Sequence, residues 1–162
     1  MKTSIYNGKR KANIMRIKYS VKTLDEIIRY WIEATHINNQ IDMIVEDADE
    51  VGEAYEFAEW MDGDPNGNSI MGVVDCLEAA SAKAATVMFN AEKKLKAILD
   101  LAIESGDERL SKYKGTDYKD KLDYVIERMY ERFSDIYDYT MQEQMENFYN
   151  VLVDIMDEVA EK

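Results

Sequence analysis

The chain has 162 residues, with 33 Asp and Glu against 20 Lys and Arg, and a formal net charge of −13. That length suits one domain with a sizeable core, and no apolar run approaches the ~20 residues of a membrane span. The single cysteine, Cys76, excludes an intrachain disulfide.

The charge is unevenly placed. Residues 1–24 hold seven basic side chains (Lys2, Lys9, Arg10, Lys11, Arg16, Lys18, Lys22) and no acid, which leaves 13 basic and 33 acidic residues, a net of −20, on the rest. An acidic body of this kind is repelled by nucleic acid and by anionic membranes and attracted to basic protein surfaces. The basic N-terminus lacks the apolar segment of a secretory signal, so a soluble, cytoplasmic protein is expected.

A basic arm comes first, over residues 1–22. Met15, Ile17, Tyr19 and Val21 alternate with Arg16, Lys18 and Ser20, the period of a strand, and Asn7-Gly8 suits a tight turn. A short strand or hairpin is expected there. Thr23-Leu24-Asp25-Glu26 reads as a capping box and predicts a first helix over about 24–61. Its apolar stripe is Leu24, Ile27, Ile28, Trp31, Ile41, Ile44, Ala48, Val51, Tyr55 and Ala58. The pattern weakens around His36–Gln40, and Gly52 is a second soft point. A break at the first would replace a long bundle by a four- or five-helix globule.

Asp62-Gly63-Asp64-Pro65-Asn66-Gly67 is turn chemistry. It also matches the first half of an EF-hand loop, making Asp62, Asp64 and Asn66 a weak Ca²⁺ candidate. The twelfth position is Val73, where a bidentate Glu is required, so a plain turn is expected. A second helix follows over about 70–104, on the stripe Ile70, Val73, Val74, Leu77, Ala80, Ser81, Ala84, Met88, Ala91, Leu95, Ile98 and Ala102. Cys76 lies in this run and is expected to be a small core residue. Ser105-Gly106 is a stop signal. A polar link over 105–116, with one turn at Asp107–Leu110, precedes a third helix over about 117–160, whose seam slips near Thr140. Tyr118, Tyr124, Tyr130, Tyr137, Tyr139 and Tyr149 decorate it, either covering the edges of the core or forming a docking face. Three helices of similar length with short connections predict an all-α, elongated antiparallel three-helix bundle over 23–162.

Function is pointed to mainly by charge. Residues 30–82 contain no Lys or Arg and 13 carboxylates, so pairing along the helix cannot neutralise them. Nine fall between Asp42 and Asp62, about one per 3.5 Å of helix axis, close to the ~3.4 Å phosphate spacing of one DNA strand. Asp42, Glu46, Asp49 and Glu53 are expected to point away from the core stripe. The candidate partner-binding residues are Asp42, Glu46, Asp49, Glu50, Glu53, Glu56, Glu59 and Asp62, with Asp135 and Asp138 from a second acidic stretch. The expectation is a non-enzymatic interaction protein that meets a basic protein surface, the nucleic-acid groove of an enzyme first among them, with neither membrane nor direct nucleic-acid binding and no cofactor. In charge and size it is similar to the acidic anti-CRISPR and anti-restriction inhibitors of mobile elements.

Two other classes stay open. A bundle rich in Met and Tyr suits self-assembly, as a homodimer, through its third helix or its N-terminal strand. Glu50-x-x-Glu53 followed by Asp75-x-x-Glu78 resembles the carboxylate sets of all-helical nucleotide pyrophosphohydrolases, a resemblance that would imply Mg²⁺ held against a nucleotide's phosphates. The second motif runs Asp then Glu, the reverse of that family's order. Glu33-x-x-His36 has the spacing of di-iron helical proteins, but His36 is the sole histidine where a second such motif is required. No phosphate-binding glycine loop is present.

Overall fold

The structure, a computed structural model, describes residues 17–62, 67–133 and 139–160, with the backbone alone for 51, 54–62, 67–71 and 73. The described residues are all-helical. Four α-helices follow one another: α1 (Val21–Asp62), α2 (Gly67–Glu104), α3 (Leu122–Phe133) and α4 (Met141–Ala160). Short 3-10 turns at Ser111–Tyr113 and Tyr118–Lys121 join α2 to α3.

Helix α1 begins three residues before its expected first residue. Ser20 is the cap: its Oγ accepts from the Thr23 amide at 3.0 Å, and its carbonyl accepts from the Leu24 amide at 2.9 Å. Thr23 is therefore in the first turn. Of the expected N-terminal strand, residues 1–16 lie outside the described residues. The alternation in 17–20 does set sides: Ile17 and Tyr19 pack against the core while Lys18 and Ser20 are exposed. No strand pairs with them among the described residues. Helix α1 continues unbroken through His36–Gln40 and Gly52 to Asp62. Gly52 is itself buried.

Helix α2 ends as expected. Gly106, with φ 81°, closes a Schellman motif in which Asp107 N donates to Ala102 O at 3.0 Å and Gly106 N to Ile103 O at 3.2 Å. The expected third helix is instead two. Helix α3 stops at Phe133, and α4 restarts with a capping box. Glu143 N donates to Thr140 Oγ1 at 3.2 Å, and Thr140 N donates to Glu143 Oε2 at 3.1 Å. The slip near Thr140 marks a helix boundary rather than a stutter.

All four helices contribute to one core. Trp31, Phe133 and Phe148 meet at its centre, with ring centroids 5.8–5.9 Å apart and Trp31 edge-on to both partners. Leu24, Ile28 and Ile32 of α1, Leu95, Ile98 and Leu99 of α2, Met129 of α3 and Leu152 of α4 close around them. Among the described side chains, this core takes from α1 nothing beyond Ala34 and from α2 nothing before Met88. Past those residues the two long helices pack on each other, as an antiparallel hairpin about 40 Å long from His36 to Asp62.

The seam of that hairpin differs from the expected stripe. Ala34 is buried, and Ile41, Val45, Ala48 and Asp49 are half-buried, but Ile37 is 54% exposed and Ile44 52%. Helix α1 is turned so that Asp42 faces α2, where its Oδ1 accepts from Ser81 Oγ at 2.9 Å. The small residues Ala80, Ser81 and Ala84 leave room for a carboxylate and supply a hydroxyl for it. Cys76, expected in the core, is exposed. Among the described residues no third layer covers that side of α2.

Candidate protein-interaction surface

The outer hairpin carries most of the sequence-predicted surface. Glu46, Asp47, Glu50 and Glu53 are exposed along α1. Asp42 and Asp49 are half-buried rather than fully exposed, and Asp42 is turned towards α2 by its bond with Ser81. Glu56, Glu59 and Asp62 lie on the backbone-only stretch of α1, so the structure places them on the helix without describing their side chains. Asp64, Asn66, Asp135 and Asp138 lie outside the described residues. Because α2 runs antiparallel, most of the lysine- and arginine-free segment 30–82 lies on the outer length of the two helices, with Trp31, Ile32 and Ala34 in the body's core and Lys83 just past its end on α2. A sequence feature is thereby concentrated on one protruding element.

Carboxylates of the body are treated differently. Asp107, with its side chain 4% exposed, accepts from Arg109 Nε and Nη2 at 3.2 and 3.1 Å and from the Tyr19 hydroxyl at 2.5 Å. The Arg109 hydrogen bonds outweigh burial and, with the Tyr19 hydroxyl, hold Asp107 down at about 2. Arg109 also stacks over the Tyr149 ring at 3.8 Å, and Tyr149 donates to Asp25 at 2.8 Å. This chain of contacts ties the start of α1 to the α2–α3 link and to α4. Tyr113 donates to Asp157 at 2.7 Å. The single proton of the Tyr118 hydroxyl serves Asp100 at 2.5 Å and Glu104 at 2.7 Å, with Lys119 at 3.7 and 3.9 Å from them. Burial and these carboxylates raise Tyr19 to about 12 and push Tyr113, Tyr118 and Tyr149 up as well. Tyr118 and Tyr149 are thus fasteners, whereas Tyr124 and Tyr139 are exposed.

His36 is also structural. Gln144 Nε2 donates to Tyr139 O at 2.8 Å, which turns the amide oxygen towards His36 Nε2 at 2.7 Å, so that ring nitrogen is the donor. Glu33 points elsewhere, to Arg29 at 3.2 Å. Glu33 and His36 thus have separate partners. Glu50, Glu53, Asp75 and Glu78 are all exposed. No group of three or more His, Cys, Asp and Glu that could hold a metal exists among the described residues.

Where the hairpin leaves the body, an open groove of about 740 Å³ lies between α2 and α3. Ala85, Met88, Ile126 and Tyr130 form its apolar floor, and Phe89, Glu92, Lys93, Lys96, Asp123 and Glu127 its rim. Lys96 pairs with Asp123 at 2.9 Å and Lys93 sits over Phe89 at 4.2 Å. Partial burial, then Asp123 and Glu127, raise Glu92.

No family model matches the sequence, and no curated protein or solved structure matches it either. The reading of function rests on the geometry alone.

Sequence reasoning missed the Asp107–Arg109 fastening and the α4 cap. Both left a signal. Asp107 follows a helix-stopping glycine with an arginine two residues on, and Thr140-x-x-Glu143 is the same motif that Thr23-x-x-Glu26 suggested. The network itself had no signal, because Tyr19, Asp25 and Tyr149 are distant in the chain.

Proposed function

We propose that this chain is a non-enzymatic interaction protein whose acidic outer hairpin engages a basic protein surface, in the manner of a nucleic-acid mimic. One observation carries the reading. In the body Asp25, Asp100, Glu104, Asp107, Asp123 and Asp157 are held by Tyr, Arg or Lys, while the hairpin exposes Glu46, Asp47, Glu50, Glu53, Asp75 and Glu78 within residues 30–82, which contain no Lys or Arg. Unrelieved like charge opposes folding, and a basic partner would relieve it. A rod about 40 Å long with carboxylates on both helices carries negative charge along one axis, as a nucleic-acid strand does.

The test is capture of partners from nuclease-treated lysate with the whole chain and with Glu46→Gln/Asp47→Asn/Glu50→Gln/Glu53→Gln. The expected result is a nucleic-acid-binding protein retained at low salt, released by added DNA or RNA, and lost steeply as salt rises. Retention of the same partner by the quadruple variant would refute the proposal. A second reading, self-association, is favoured by the exposed Ile37, Met43 and Ile44 on the hairpin; a concentration-dependent dimer in sedimentation would support it.

A further inference from the structure

We infer that the hairpin beyond residue 40 is a charge-sensitive folding unit: it opens separately from the body when its carboxylates are unscreened, and it closes when salt or a polycation neutralises them. The inference goes beyond the proposed function and stands on the packing and charge of this chain alone. The unit begins just past the bonds that tie α1 to the body. His36 Nε2 donates to Gln144 of α4 at 2.7 Å, and Asn38 Nδ2 donates to the Tyr130 hydroxyl of α3 at 3.3 Å. Beyond them α1 packs on α2, and among the described side chains that seam is thin. Gly52 and Val74 are buried, while Ile41, Val45, Ala48, Leu77, Ala80 and Ala84 are half-buried. In the body the same two helices bury Leu24, Ile28, Trp31, Leu95, Ile98 and Ala102 completely. Local opening costs least where little apolar area is covered, and a helix that loses its packing face is marginal in water.

Charge adds to this on α1. Asp42–Glu46, Glu46–Glu50 and Asp49–Glu53 are like-charge pairs four residues apart, and Glu46–Asp49, Asp47–Glu50 and Glu50–Glu53 are three apart. Each such pair opposes the helix, and together they should raise the opening equilibrium about 10- to 100-fold at low salt. The body has the opposite response. Asp123 pairs with Lys96 at 2.9 Å and Asp157 with Lys112 at 3.0 Å, and screening weakens such pairs. Salt therefore favours the closed hairpin without favouring the body. A polycation does the same at low salt. The closed helix gathers these carboxylates within about 17 Å of its axis, so a polycation binds the closed form more tightly than the open one and shifts the hairpin towards it.

The test is hydrogen exchange of the whole chain, read by mass spectrometry at about 10 mM and about 1 M NaCl, where the screening length is ~30 and ~3 Å. At low salt, peptides over 41–53 and 74–84 should exchange faster than those over 24–34 and 91–103. At high salt the hairpin peptides should slow about tenfold or more, and the body peptides should not slow. Decalysine added at low salt should protect the hairpin as salt does. Glu46→Gln/Glu50→Gln removes most of the like-charge pairs at two exposed positions. It should slow hairpin exchange at low salt and shrink the salt response, with the body unchanged. Four results overturn the inference: one common exchange rate for hairpin and body, a hairpin that salt does not slow or slows no more than the body, decalysine without effect, or a salt response that the glutamine changes leave intact.

Discussion

The same two helices behave as different materials along their length. In the body, α1 and α2 lie in a four-helix core, with Leu24, Ile28, Trp31, Leu95 and Ile98 each fully buried. In the outer hairpin, Gly52 and Val74 are the buried residues among those whose side chains are described. Burial of apolar area is the main source of stability, so the body sustains the fold and the hairpin is carried by it. On the proposed function, stability and binding are separated in space.

The largest expected effect breaks the body. Trp31→Ala removes the ring between Phe133 and Phe148 and should cost about 3–5 kcal/mol, lowering the global midpoint in a denaturant titration. If hydrogen exchange showed only the hairpin opening in this variant, the division of labour would be reversed.

A smaller effect comes from the fastening at Asp107. Asp107→Asn leaves Arg109 and Tyr19 without their carboxylate and should cost about 2–4 kcal/mol. The pH dependence has a definite sign. The folded value, about 2, lies below the ordinary 3.8, so the stabilisation is present above pH 3.8 and is lost as pH falls through about 2. Acid unfolding followed by circular dichroism should therefore lose this increment in the wild type and show none of it in Asp107→Asn. A variant with the same acid slope as the wild type would remove Asp107 from the account.

These sites also show where the sequence was informative. Helix α2 was legible to within three residues at its start and at its true end, because its apolar period and the Ser105-Gly106 stop agree. Helix α1 was legible as a helix but not in its rotation. The expected seam through Ile41, Ile44 and Ala48 is a correct heptad, yet one helix can cover only one side of it, and Asp42–Ser81 decided which. The expected third helix failed because an apolar period continued on both sides of a boundary, and periodicity does not register a change of helix axis. Thr140-x-x-Glu143 did mark it. The acidic surface was legible as composition but not as exposure: Asp42 bonds into the seam and Asp49 is half-buried.

The smallest expected effect sharpens the comparison most. Glu50 is exposed, with Glu46 four residues before it and Glu53 three after. Glu50→Lys turns two like-charge pairs into two opposite pairs, in the favourable order for Glu46, and should stabilise the hairpin by about 0.3–0.5 kcal/mol per pair at low salt. Hydrogen exchange should slow around residues 46–54 while the body is unchanged, and added salt should erase the gain. The same change should weaken binding to a basic partner. A residue whose replacement improves folding and impairs binding is retained for the second property, because the first would have removed it. If Glu50→Lys stabilised nothing, the hairpin would carry no repulsive strain, and the main argument for a basic partner would lose its force.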